Sequence, residues 1–93
     1  MSIDYSGLPE HMRGGMKRYL EHGIMPGDFL TAVLRNDLME AMGRADETNL
    51  YALPSYGRFL YYYAPRGSYG SPENVKAWVE ARAADRAREK ANG

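Results

Sequence analysis

Four stretches of the chain place apolar residues at helical intervals. In "LPEHMRGGMKRYLEHG", Met12, Met16, Tyr19 and Leu20 fall on one stripe, as one face of a helix requires. Pro9 suits the first turn, Glu10 the positive end of the helix dipole, and Gly23 the stop. Gly14 and Gly15 oppose the helix, each costing about 1 kcal/mol against alanine. Their presence implies that another backbone packs closely there or that the helix bends. The second stretch, "PGDFLTAVLRNDLMEAMGRAD", carries the broadest apolar face: Leu30, Val33, Leu34, Leu38, Ala41, Met42 and Ala45. It reads as one long helix, introduced by Pro26 and Gly27, with Asp28 accepting from the free amides of the first turn.

The third stretch, "TNLYALPSYGRFLYYYAP", keeps helical spacing through Leu50, Leu53, Leu60, Tyr61 and Ala64, with Asp46 or Thr48 as the cap before it. Pro54 and Gly57 must kink it or break it into two short helices. Tyrosine and phenylalanine also favour strands, but a lone strand from Arg58 to Tyr63 would find no partner. After the turn-rich "PRGSYGSP", Ser71 is a good N-cap with Pro72 at the first helical position. The last helix buries Val75, Trp78 and Val79. The pattern predicts an all-α fold, a small bundle of three to four helices with a kinked or broken third helix. Residues 1–7 read as a flexible arm, 8–81 as one helical domain, and 82–93 as a charged, fraying helical tail.

Ninety-three residues suffice for one domain and no more. The absence of cysteine excludes disulfides and thiolate metal sites. The N-terminal residues lack the pattern of a signal peptide, and no apolar run approaches a bilayer span, so a cytoplasmic protein is expected. Twelve basic and twelve acidic residues give a net charge of zero. That argues against coating nucleic acid by bulk electrostatics, but not against a small anion held by two or three cations. It also removes the self-repulsion that keeps small domains apart, so a homo-oligomer, a dimer or a multiple of it, is expected.

Candidate chemistry gathers between Pro54 and Pro72, which hold five of the eight tyrosines together with Arg58 and Arg66. Successive helical residues turn by about 100°, so Tyr61, Tyr62 and Tyr63 cannot share one small core. With Leu60 and Tyr61 inward, Tyr62 and Tyr63 lie on the flanks or outside. They then cover neighbouring helices, form a stacking surface for flat anions, or line a subunit interface. For ligand binding the candidates are Tyr56, Arg58, Tyr62, Tyr63, Arg66 and Tyr69, assisted by Lys17 and Arg18. Arg13 completes a basic flank on the first helix. Asp37 follows Leu34 by three positions and should be at least half buried, paired with Arg18, Arg58 or a tyrosine hydroxyl. His11 and His22 stand about 16 Å apart along a helix and cannot share a metal. No catalytic, metal or cofactor motif occurs, and the chain reads as a non-enzymatic binding protein.

The pieces "LPEHM", "GGM", "RYLEHG", "PGDFLTAVLRNDL" and "GSPENVKAW" resemble a family of small helical proteins of tailed phages and prophages. The resemblance spans about residues 8–80. Members of that family usually lack a proline at the position of Pro54 and have fewer tyrosines, so no role transfers to the tyrosine-rich segment. A phage origin implies action on the host. The expectation is sequestration of a small nucleotide-like anion that serves host defence. The alternative is inhibition or recruitment of a host protein through the same tyrosine-rich surface.

Overall fold

A computed structural model describes residues 3–92 of the chain. The described residues are all-helical: α1 Glu10–His22, α2 Asp28–Leu34, α3 Leu38–Arg44, α4 Glu47–Tyr51, α5 Leu53–Tyr63 and α6 Pro72–Asn92. The four helical stretches of the sequence are present, but the second and third are each divided in two. None of these helices is long and apolar enough to cross a membrane.

The first helix ends where glycine allows it. Gly23 has φ 70°, and its N–H donates to the Tyr19 carbonyl at 2.9 Å. Helix α1 is continuous through Gly14 and Gly15, and neither receives another backbone. A side-chain carbon at Gly14 would lie 3.1 Å from the Arg18 guanidinium, and one at Gly15 would lie 3.6 Å from Leu30. The glycines therefore give room to two side chains.

The long second helix is corrected at Asn36, which adopts φ 64°, a left-handed conformation that asparagine tolerates better than most residues. Asp37 then starts α3 as its N-cap, its Oδ1 accepting from Glu40 N–H at 3.1 Å. It is exposed, not half buried. The break turns part of the expected apolar face away from the core, although Ala41 stays buried. Leu38 and Met42, expected on the apolar face, are 61% and 45% exposed. Asp28 caps nothing with its side chain; it lies at the start of α2 and pairs with Arg44 at 3.5 Å.

Asp46 caps α4 by accepting from Asn49 N–H at 2.7 Å. The chain breaks at Ala52, and Pro54 sits in the first turn of α5, where its missing N–H costs nothing. Gly57 remains inside a continuous helix. Ser71 caps α6 through Asn74 N–H at 3.1 Å. This helix runs unbroken to Asn92, so the described part of the charged tail continues the fold.

The core joins Leu8, Met16, Tyr19 and Leu20 to Phe29, Leu30 and Leu34, and these to Tyr56, Phe59, Leu60 and Val75. Trp78 and Val79 are only partly buried against it. Tyr19 donates its hydroxyl to the Ser68 carbonyl at 2.7 Å, and Trp78 Nε1–H donates to the Tyr19 carbonyl at 3.2 Å. Gly70 N–H donates to the Leu34 carbonyl at 2.8 Å, fixing the α5–α6 connection against the end of α2. The described part of the N-terminal arm is docked. Leu8 is buried, Tyr5 lies 5.5 Å from the Phe59 ring, and Arg13 donates to the Leu8 and Ser6 carbonyls at 2.9 and 3.0 Å. Arg13 is thus a clamp on the arm and not a free part of a basic flank.

Candidate functional site

Helix α5 divides its aromatic residues between the interior and the surface. Tyr56, Phe59 and Leu60 point inward at the i, i+3, i+4 spacing of a buried stripe. Tyr61, expected inside with Leu60, is 76% exposed, and Tyr62 and Tyr63 are 69% and 51% exposed. With Tyr56 wedged edge-on against Phe29, ring centroids 5.2 Å apart, the next inward positions are Phe59 and Leu60.

Tyr56 therefore leaves the set of candidate ligand-binding residues. It is fully buried, and its hydroxyl donates to Asn49 Oδ1 at 2.7 Å. Burial, with a further contribution from the Asp46 charge, raises its pKa well above the ordinary phenol value. No face of this ring is open to a stacked ligand.

Arg58, Tyr62 and Tyr63 do come together. They line a hollow of about 270 Å³ beside Asp4, Ser6 and Ser55. Arg58 and Tyr62 are one helical turn apart on the outer side of α5, and Tyr63 leans on Phe59 with ring centroids 6.0 Å apart. A ladder of rings, Tyr5–Phe59–Tyr63, thus backs one wall of the hollow. Among the described residues, no carboxylate lies within ion-pair distance of Arg58. Asp4 accepts from Ser6 N–H at 2.9 Å, and these hydrogen bonds with Ser6 hold its carboxyl below the usual range.

The other candidates lie elsewhere. Tyr69 is half-buried and lines a different, mostly apolar groove of about 340 Å³, with Leu38, Leu53, Gly57, Leu60 and Tyr61. Arg66 is exposed on the α5–α6 connection and lines neither hollow. Arg18 lines a third depression with His11, Gly15 and Met25, while Lys17 is exposed on α1. His11 faces Asp46 at 3.5 Å. No three His, Asp or Glu side chains converge as metal ligands among the described residues.

Sequence reasoning missed the contribution of the arm. Asp4, Ser6 and Gly7 form one wall of the Arg58 hollow. Two signals were present. Ile3 and Tyr5 alternate with polar residues, and "YSGL" carries turn residues, the turn being closed here by Leu8 N–H on the Tyr5 carbonyl at 3.0 Å.

Comparison with protein-family models, with curated proteins and with solved structures gives no match to this chain.

Proposed function

We propose that this is a non-enzymatic binding protein of phage origin that acts in the cytoplasm of a bacterial host and sequesters a small nucleotide-like anion. One observation carries the reading: Arg58, without an acidic partner among the described residues, stands beside Tyr62 and Tyr63 in a hollow walled on the other side by Asp4. A guanidinium meets a phosphate through two parallel hydrogen bonds, and tyrosine faces stack on bases. The carboxylate of Asp4 would accept from a sugar hydroxyl or an exocyclic amine. A cation, an acceptor and two aromatic faces in one hollow match the polar and flat parts of a nucleotide. Arg66, Lys17, Arg18 and Tyr69 do not contribute to it.

Calorimetric titration against a panel of linear and cyclic nucleotides tests this reading. Binding tighter than about 100 μM that drops at least tenfold in Arg58→Ala and in Tyr62→Ala supports it. No heat from any member of the panel would remove it.

The exposure of Tyr51, at 78%, and of Tyr61, outside that hollow, favours a second reading. In it the tyrosine-rich surface docks a host protein. That version predicts a specific host protein that co-purifies with the chain and is lost on Tyr62→Ala/Tyr63→Ala substitution while the helical circular dichroism is retained.

A further inference from the structure

The mostly apolar groove between α3 and α5 is separate from the Arg58 hollow and is not used by the proposed ligand. We propose that this groove is a self-association surface, and that the side chain of Tyr61 from a second copy of this chain fills it. The assembly would be a two-fold dimer in which each copy offers both the groove and the side chain that enters it.

Both parts lie on one patch. The floor is made by Ala41, Leu53, Gly57 and Leu60, and the rims by Leu38 and Tyr61. Gly57 and Tyr61 are one turn apart on α5, and a side-chain carbon built at Gly57 would meet nothing within 4 Å. The helix thus carries a notch beside a projecting ring. Tyr61 projects outward, its ring meeting that of Tyr62 edge-on with centroids 5.0 Å apart. In a two-fold interface the same patch faces itself, so a projection and a notch side by side on one helix become complementary across the axis.

The exposed area supplies much of what such an interface needs. Leu38 and Tyr61 line the groove and are 61% and 76% exposed, and Met39 and Met42 on α3 are 75% and 45% exposed. At about 200 Å² for a whole tyrosine side chain, Tyr61 exposes roughly 150 Å², and the three aliphatic chains of α3 add roughly 300 Å². The sum of roughly 450 Å² lies within the range of the largest patch on a monomer and is over half of the ~800 Å² each partner hides in a standard interface. Electrostatics do not oppose pairing. Asp37 is the one charged residue lining the groove, its carboxylate is occupied by the α3 cap, and the chain has zero net charge.

Light scattering on the purified full chain at about 50 μM, well above a micromolar Kd, tests the proposal. The expected mass is twice the 10.5 kDa of the chain. Leu38→Glu should return it to a single chain mass, and Tyr61→Glu should do the same. Leu38 is the first residue of α3, where an acidic side chain favours the helix, so this variant keeps its helical circular dichroism. Arg58→Ala, on the neighbouring face, should leave the doubled mass unchanged. A wild-type chain that stays monomeric at that concentration would overturn the proposal. A doubled mass that survives both Leu38→Glu and Tyr61→Glu would also overturn it, because the dimer would then use another surface.

Discussion

The seam between α1 and α6 and the outer face of α3 and α5 contain similar residues, but they use them differently. At the seam, Tyr19 is fully buried, its hydroxyl and its carbonyl are both hydrogen-bonded, and Arg82 lies over the Trp78 ring at 4.8 Å. Gly23 lets the end of α1 approach α6 so closely that an added carbon would sit 2.4 Å from the Arg82 Cβ. On the outer face, Tyr61 and Tyr62 touch mainly each other, and Gly57 faces open space. A buried tyrosine whose polar atom is satisfied contributes stability, whereas an exposed one leaves apolar area for a partner. The same residue type is architecture in one region and open apolar surface in the other.

The largest expected effect comes from alkaline pH, which acts on the buried tyrosines together. Burial raises the Tyr19 phenol to about 12, and burial with the Glu21 hydrogen bond raises Tyr5 to about 12. Tyr56 is raised still further, chiefly by burial. In each case the folded pKa exceeds the unfolded value of about 10. The folded state therefore favours the neutral phenol. That contribution is complete below about pH 10 and is lost as the pH rises toward 12. Urea midpoints should stay level up to about pH 10 and then fall steeply. A flat profile through pH 12 would show that these hydroxyls ionise as readily in the fold as outside it.

Next in size is Gly23→Ala, which attacks the seam alone. Alanine in a left-handed conformation costs about 1–2 kcal/mol. The contact with Arg82 Cβ adds an overpacking cost of about 1–3 kcal/mol, because the obstacle is near the α6 backbone and not a flexible side-chain end. The melting temperature should drop by at least about 10 °C, given roughly 4–8 °C per kcal/mol in a domain of this size. Thermal unfolding followed by circular dichroism measures it. A drop of only a few degrees would mean that the α1–α6 contact can loosen without loss.

The buried stripe of α1 and most helix ends were legible in the sequence because they follow from local rules, whereas the pairing of α1 with α6 rests on long-range contacts. Gly23, Asp46, Ser71 and Pro72 act where their backbone chemistry places them, Pro9 stands one residue before α1 and not in its first turn, and Met16, Tyr19 and Leu20 form a stripe that nothing interrupts. The outer face was less legible, because two breaks interrupt it. Asn36 ends α2 in a conformation that neighbouring apolar residues do not announce, so Leu38 and Met42 leave the expected apolar face while Ala41 keeps its place in the core. "RND" held the signal, since asparagine followed by an aspartate cap can stop one helix and start another. In α5 Tyr56 faces inward and Tyr61 outward. The stripe Leu53, Tyr56, Leu60 was present in the sequence, but the run of three tyrosines drew attention to Tyr61. The packed position of the arm depends on long-range contacts, Tyr5 on Phe59 and Tyr5 on Glu21; its alternation and turn residues mark an ordered segment but not the partners it packs on.

The smallest expected effect has the opposite sign and sharpens the contrast. Gly57→Ala places a methyl group where nothing lies within 4 Å, inside a helix and with ordinary backbone angles. Alanine there reduces the backbone entropy lost on folding and should stabilise the isolated chain by about 0.5–1 kcal/mol. The same methyl stands on the floor of the groove assigned to Tyr61 of a second copy. In dilute solution, where single chains dominate, the melting temperature should therefore rise by roughly 2–8 °C. At concentrations where copies pair, that gain should shrink or vanish, because the notch is partly filled. Melts of wild type and Gly57→Ala across a hundredfold range of concentration separate the two terms. An equal gain at every concentration would mean that the methyl meets no second copy, and the open face of α5 would then belong to some other partner.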